Sequence, residues 1–202
     1  FRAWSMRGTW FYYDDFPFVV QAARDPLTAH RVMSQYLGHL MPGARLFAWV
    51  ATRHANFDYL PFAIGTLVAF AFAGLGMVRL LVNLFGRRWG ILPPLVVFLF
   101  SPLLVESTLW WSVAFTQIPA LVAVTWGLDA HIRFLRTGRT RHLVMSLLWV
   151  AFGLFFTEVA LLAYLFFLVL TPAYFASGTL MDRVRTVWSE HRPAVLAHAG
   201  LA

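Results

Sequence analysis

Two adjacent carboxylates, Asp14 and Asp15, stand in the run Tyr12-Tyr13-Asp14-Asp15-Phe16, with aromatic rings on both sides. Adjacent acids are common in solvated turns, where a short acidic side chain satisfies nearby backbone. Among apolar neighbours, however, a carboxylate is costly unless it is paired or used. An acid whose pKa is raised by burial and by a neighbouring acid can take the proton of a hydroxyl as a general base. Neighbours on an extended turn point opposite ways, so one acid is expected to face a cavity and the other to bond backbone or an Arg. Asp15 is the first choice for the base and Asp14 the second.

The other polar groups that bear on chemistry are few. Gly38-His39-Leu40-Met41-Pro42-Gly43 reads either as a plain helix-to-helix turn, with His39 capping a helix, or as a loop whose His39 bonds a phosphate or a sugar. Arg45, Arg53 and His54 follow, placed to meet ordinary lipid headgroups or the phosphate of a lipid-linked substrate. Glu158, in Phe155-Phe156-Thr157-Glu158-Val159, is an ionisable residue inside a long apolar run. Such an acid either has a structural partner or marks a site. Glu106 and Gln117 are weaker members of the same set, and Asp58 and Asp129 read as helix caps. The sequence carries no metal-ligand spacing, phosphate-cradling glycine loop or nucleophile elbow.

The elements that must position these groups are membrane helices. Hydrophobic residues make up 60% of the chain and charged ones 12%, against about 25% in soluble domains, and the mean hydropathy is +0.67. The net charge of +7 comes entirely from arginines scattered between apolar runs, which form no basic stripe for nucleic acid. Without cysteine there is neither disulfide nor thiolate chemistry. A span needs roughly 20 apolar residues, and residues 60–84 and 143–170 are clean candidates, with 89–105 and 112–128 forming a hairpin between them. Pro93 and Pro94 suit a first helical turn, whereas Pro102 and Pro119 kink or end their helices.

This predicts an all-α, polytopic integral membrane protein with about four transmembrane helices. It divides into an outer segment 1–58, a bundle 59–171 and a further outer segment 172–202. Arg87, Arg88, Arg133, Arg136, Arg139 and Arg141 mark the cytoplasmic loops, while the loop 106–111 has no Arg and carries Trp110 and Trp111, as an outer aromatic belt would. Parity then puts the acidic loop and the tail from Thr171 outside, although the tail holds Arg183, Arg185 and Arg192. The chain starts at Phe1 and stops at Ala202 without a leader or closing signal, so a longer protein with an upstream span is expected. Within the outer segment, Asp25-Pro26 predicts the start of an amphipathic helix over 26–37, and a second runs over 44–53. Both are expected to lie along the membrane surface.

An acidic pair ahead of surface helices and successive spans resembles the layout of C-type (GT-C) membrane glycosyltransferases. The stretches FYYDDF, GHLMPGARL, LWWSVAFTQIP and LDAHIRFLRTGRTRH, which together run through most of the chain, are similar to those of actinobacterial membrane proteins of that type. The resemblance implies inverting transfer of a sugar from a polyprenyl-phosphate donor to a cell-envelope glycan, lipid or protein on the extracytoplasmic face of the cell membrane. Asp14 or Asp15 matches the family's first-loop acid, and Arg45 or Arg53 would meet the leaving phosphate. Some members need a divalent cation and many do not. The family's first helix and later spans are expected in the longer protein outside residues 1–202, and Glu158 has no basic neighbour in sequence. Competing readings are a transporter or lipid flippase, with Glu158 titrating between broken helices, and a noncatalytic membrane subunit that docks a partner.

Overall fold

The computed structural model describes residues 1–55 and 58–200, and every regular element among them is a helix. Four short helices come first: α1 (Arg2–Ser5), α2 (Asp15–Arg24), α3 (Ala29–Val32) and α4 (Pro42–Ala55). α5 (Leu60–Phe85) ends at Gly86, whose φ of 78° lies where a side chain is strained. A 3-10 turn leads into α6 (Leu92–Phe100), and α7 (Leu103–Leu109) follows, the pair bent by 47° around Pro102. Then come α8 (Trp111–Thr137), α9 (Thr140–Phe156), a 3-10 turn Glu158–Leu161, α10 (Leu162–Phe175), α11 (Leu180–Glu190) and α12 (Arg192–Ala199).

Leu60–Phe85, Trp111–Thr137 and Glu158–Phe175 are each long and apolar enough to cross a membrane, and α6 with α7 makes a fourth if the bent pair is one span. α9, at 17 residues, is apolar but shorter. α8 is the axis, with α5, α7, α9 and α10 packed around it. It continues through Pro119 and well past the expected end at 128, because the apolar stripe runs on through Ile132. Close packing against it needs small residues, since apolar surroundings supply no hydrophobic drive between helices. A Cβ on Gly153 would come within 2.7 Å of the Cβ atoms of Ala123 and Ala160.

The polar links between helices are equally specific. The Trp126 indole donates to the Phe72 carbonyl at 3.0 Å, and the Ser146 hydroxyl to that of Gly127 at 3.0 Å. Asp129 is not the cap that its position suggested. It lies inside α8, 3% exposed, where Arg79 of α5 (3.5 Å) and Arg133 (3.0 Å) neutralise it and Asn83 donates to it. A carboxylate at this depth is tolerable because it is paired and bonded. Buried Arg2 closes another gap at the break before Pro102, donating to the carbonyls of Ser101 at 2.7 Å and Leu99 at 3.4 Å.

The run 143–170 is not one span. Thr157 is extended (φ −165°, ψ 144°), and its hydroxyl accepts the N–H of Val159, so one helix stops and another begins. α10 then runs back along α8. Phe167 packs with Leu128, Ile132 and Val150, Thr171 bonds His131 at 2.9 Å, and the Tyr174 ring meets Phe85 at 5.9 Å. Its end therefore lies beside the arginine-rich turns, not at the aspartate end as parity predicted. The tail follows it, with His198 of α12 bonded to Ser146 near the start of α9 at 3.1 Å. Placing the tail there removes the conflict posed by Arg183, Arg185 and Arg192.

The chain has no cysteine, so single cysteines introduced at Arg7, Thr137 and Ser177 are each the sole labelling site. A membrane-impermeant maleimide should reach Thr137→Cys and Ser177→Cys from one side and Arg7→Cys from the other. Labelling of Ser177→Cys together with Arg7→Cys would contradict the reversal at Thr157.

Candidate functional site

The N-terminal end of α8 anchors the aspartate end of the molecule. Trp111, its first residue, is 1% exposed, its ring edge-on to Phe11, Phe62 and Phe115 at centroid distances of 5.2, 4.8 and 4.7 Å. A helix that starts among such rings leaves its first N–H groups without water. Asp15 supplies the partner. Its Oδ1 accepts the N–H of Ser112 at 2.6 Å and its Oδ2 that of Tyr12 at 2.8 Å, with the residue wholly buried. The negative charge also complements the positive end of the α8 dipole. Burial pushes the Asp15 carboxyl above the usual carboxylate range, while the N–H donors of Tyr12 and Ser112 pull it back down.

Asp15 therefore does not face a groove, contrary to the expectation that made it the base. Both of its oxygens are committed to holding the loop on the bundle. Tyr13, just ahead of the two acids, adopts φ 42°, unusual for a side-chain-bearing residue. Asp14 is half-buried at the start of α2; burial, and secondarily the charge of Asp14, raises the phenol pKa of Tyr36. Neither acid lines the large groove between the segment 9–13 and α7. Glu106 does.

His39 and Glu158 meet, although 119 residues separate them: His39 Nδ1 bonds Glu158 Oε1. His39 is delivered by a two-residue hairpin in which Tyr36 and His39 exchange both backbone hydrogen bonds at 2.9 Å. The central residues Leu37 (φ 50°) and Gly38 (φ 87°) both have positive φ, the pattern of a type I′ turn. The helix expected over 26–37 is accordingly only Ala29–Val32, capped by Thr28, while Asp25 ends α2 and pairs with Arg31. Glu158 is delivered by the break after α9. Because an ionised carboxylate only accepts, Nδ1 is the donating nitrogen in this bond, and the neutral ring so bonded leaves a lone pair on Nε2. The side chains are 56% and 42% exposed, so the pair is open to solvent or substrate.

Arg45 lies on the first turns of α4, against the hairpin that carries His39. Its guanidinium donates to the Gln35 carbonyl at 3.1 Å and to Gln21 at 3.3 Å, and lies 6.0 Å from the centre of the Tyr36 ring. Burial, and secondarily the charge of Arg31, holds its pKa below the ordinary arginine value. α4 is longer than the expected 44–53, starting at Pro42, because Gly43 packs directly on Phe155: a Cβ there would stand 2.6 Å from its ring. Arg53 and His54 belong to the far end of the same helix, roughly 12 Å further along its axis by helical rise, and are not brought to the pair. Arg53 lies over the Trp49 ring at 5.2 Å. Asp58 accepts the Leu60 N–H at 3.0 Å, a local contact at the start of α5. Among the described residues no three His, Asp or Glu side chains gather as they would around a metal ion.

Asp15→Ala should destabilise the purified protein by about 0.5–2 kcal/mol, the usual cost of losing a helix cap, read as a fall in melting temperature. The pH dependence has a definite sign. A carboxyl whose folded pKa is raised takes up a proton on folding, so its contribution is most favourable below the ordinary carboxylate value and is lost as pH rises through the folded value. Asp15→Asn removes that slope, so the gap between wild type and Asp15→Asn should narrow from acid to neutral pH. A gap that widens would contradict the assignment.

No protein-family model, curated protein or solved structure matches the chain, so the reading of this site rests on its own residues.

Proposed function

We propose that the chain forms the acid-bearing end of a C-type membrane glycosyltransferase, moving a sugar from a polyprenyl-phosphate donor to an acceptor hydroxyl on the extracytoplasmic face. The observation that carries this reading is the His39–Glu158 pair. A carboxylate that holds Nδ1–H of an imidazole leaves Nε2 as a proton acceptor and stabilises the imidazolium that forms, the arrangement used wherever a hydroxyl must become a nucleophile.

In the proposed reaction the acceptor O–H gives its proton to His39 Nε2 as its oxygen bonds the anomeric carbon. The bond from that carbon to the donor phosphate breaks on the opposite face, and polyprenyl phosphate leaves with the electron pair. Configuration inverts. Arg45, the arginine nearest His39 in sequence, would receive the phosphate charge; it lies over the Tyr36 ring, whose phenol also feels the charge of Asp14. Asp15 keeps the loop seated on α8 and does no chemistry. A half-exposed Glu158 bonded to a loop histidine suits lateral access by a lipid-linked substrate better than the enclosed cavity a transporter or flippase needs.

Transfer of a labelled sugar from polyprenyl phosphate, measured with the full-length protein in proteoliposomes, tests the reading. His39→Gln and Glu158→Gln should each lower turnover by about 10² to 10⁴ with melting temperature retained. Normal turnover in both variants would overturn the base assignment. Absence of transfer by the wild-type protein across a panel of sugar donors would favour a noncatalytic subunit.

A further inference from the structure

We infer that the groove between the segment 9–13 and α7 is a carbohydrate-binding site. It has a volume of about 890 Å³ and is walled by Trp10, Tyr12, Tyr13 and Trp110, with Glu106 as its one charged group. Trp10, Tyr12 and Tyr13 are 57, 65 and 71% exposed, whereas their neighbours Phe11 and Trp111 are 6 and 1% exposed. The same short segments thus bury one aromatic and hold the next in the open. At Tyr13 this presentation requires a left-handed backbone that glycine or asparagine would adopt more easily.

The chemistry of the wall selects the ligand. The Tyr12 ring stands 5.8 Å from Trp110 and Tyr13 6.4 Å from it, both edge-on to the indole, with Tyr12 and Tyr13 tilted to each other 6.2 Å apart, so the three rings make an angled aromatic wall. Large amphipathic rings offer apolar faces to the C–H faces of a pyranose, and the carboxylate of Glu106 accepts hydrogen bonds from its hydroxyls. A quaternary ammonium group calls for rings that close around one point, whereas these rings stand open along a groove of about 890 Å³. A nucleic acid or phosphorylated ligand would bring negative charge toward Glu106. An acyl chain would desolvate that carboxylate without pairing it. A neutral sugar chain satisfies both the rings and the acid. Binding does not depend on the transfer reading; that the bound chain is the acceptor does rest on it.

The test titrates the purified full-length chain, in nanodiscs of neutral lipid, with short linear glucose and mannose oligosaccharides, following tryptophan fluorescence and calorimetry. Saturable binding of at least one is expected. Tyr12→Ala and Trp10→Ala should each weaken it about tenfold or more, the usual worth of one stacked ring, and Glu106→Gln several-fold. Their melting temperatures should be unchanged, because the side chains are exposed. His39→Gln should bind normally while losing turnover, which separates failure of the groove from failure of the transfer reading. No saturable binding of either sugar series, or a groove occupied by choline with higher affinity, would overturn the assignment, as would groove variants that bind sugar as wild type does.

Discussion

A helix end placed among apolar side chains must find partners for its free N–H or C=O groups, and the architecture of this chain follows from where it finds them. The start of α8 is met by Asp15, from a loop almost a hundred residues earlier. The end of α6 is met by Arg2, and the end of α7 by the Tyr59 hydroxyl, which donates to the Leu109 carbonyl at 2.9 Å. Each partner is polar, buried and remote in sequence. Together they fasten the segment 1–59 to the bundle, so that the loop and the helices form one body at the aspartate end.

Charge is managed by the same economy at the other end. Asp129 joins α5 to α8 through Arg79, Asn83 and Arg133, a link that would be poor in water and is specific in hydrocarbon. The reversal at Thr157 then returns α10, α11 and α12 to the arginine-rich end. Apolar Phe167 and Phe175 lie against the bundle there, the latter under Arg136 at 6.0 Å. Arginines outnumber acids at the end reached by Thr137 and Phe175, whereas the aspartate end holds acids and arginines together, which gives the molecule two chemically different poles.

Much of this was legible in the sequence, and the failures have physical causes. Hydrophobic runs located α5 and the centre of α8, and Pro102 marked a real break, because spans and prolines act through composition and backbone sterics alone. The run 143–170 misled because its apolar residues continue across the break; the signal was Thr157-Glu158, a cap residue followed by a first-turn acid, hidden in hydrophobic company. In 26–37 the helical spacing of apolar residues outweighed Leu37-Gly38, where glycine permits the hairpin that lifts His39. The acid pair was recognised as unusual, yet which acid is exposed depends on a helix start at Ser112 that no local pattern near Asp15 reveals.

Two of the departures from the expected helices fall beside the two residues that meet. His39 reaches Glu158 only because the chain leaves helix at Leu37 and again at Thr157, and an uninterrupted helix at either place would carry one partner away. Regular helices satisfy their own backbone and offer side chains in fixed rows, so a bundle made of them alone seals its ends. A half-exposed polar pair requires irregular backbone, and irregular backbone in such a chain persists only where local caps hold it. Thr157 caps one side of the pair, and the doubly bonded Tyr36–His39 bridge supports the other. The least regular parts of the chain are therefore the parts that local chemistry specifies most fully, and they are where the pair is assembled.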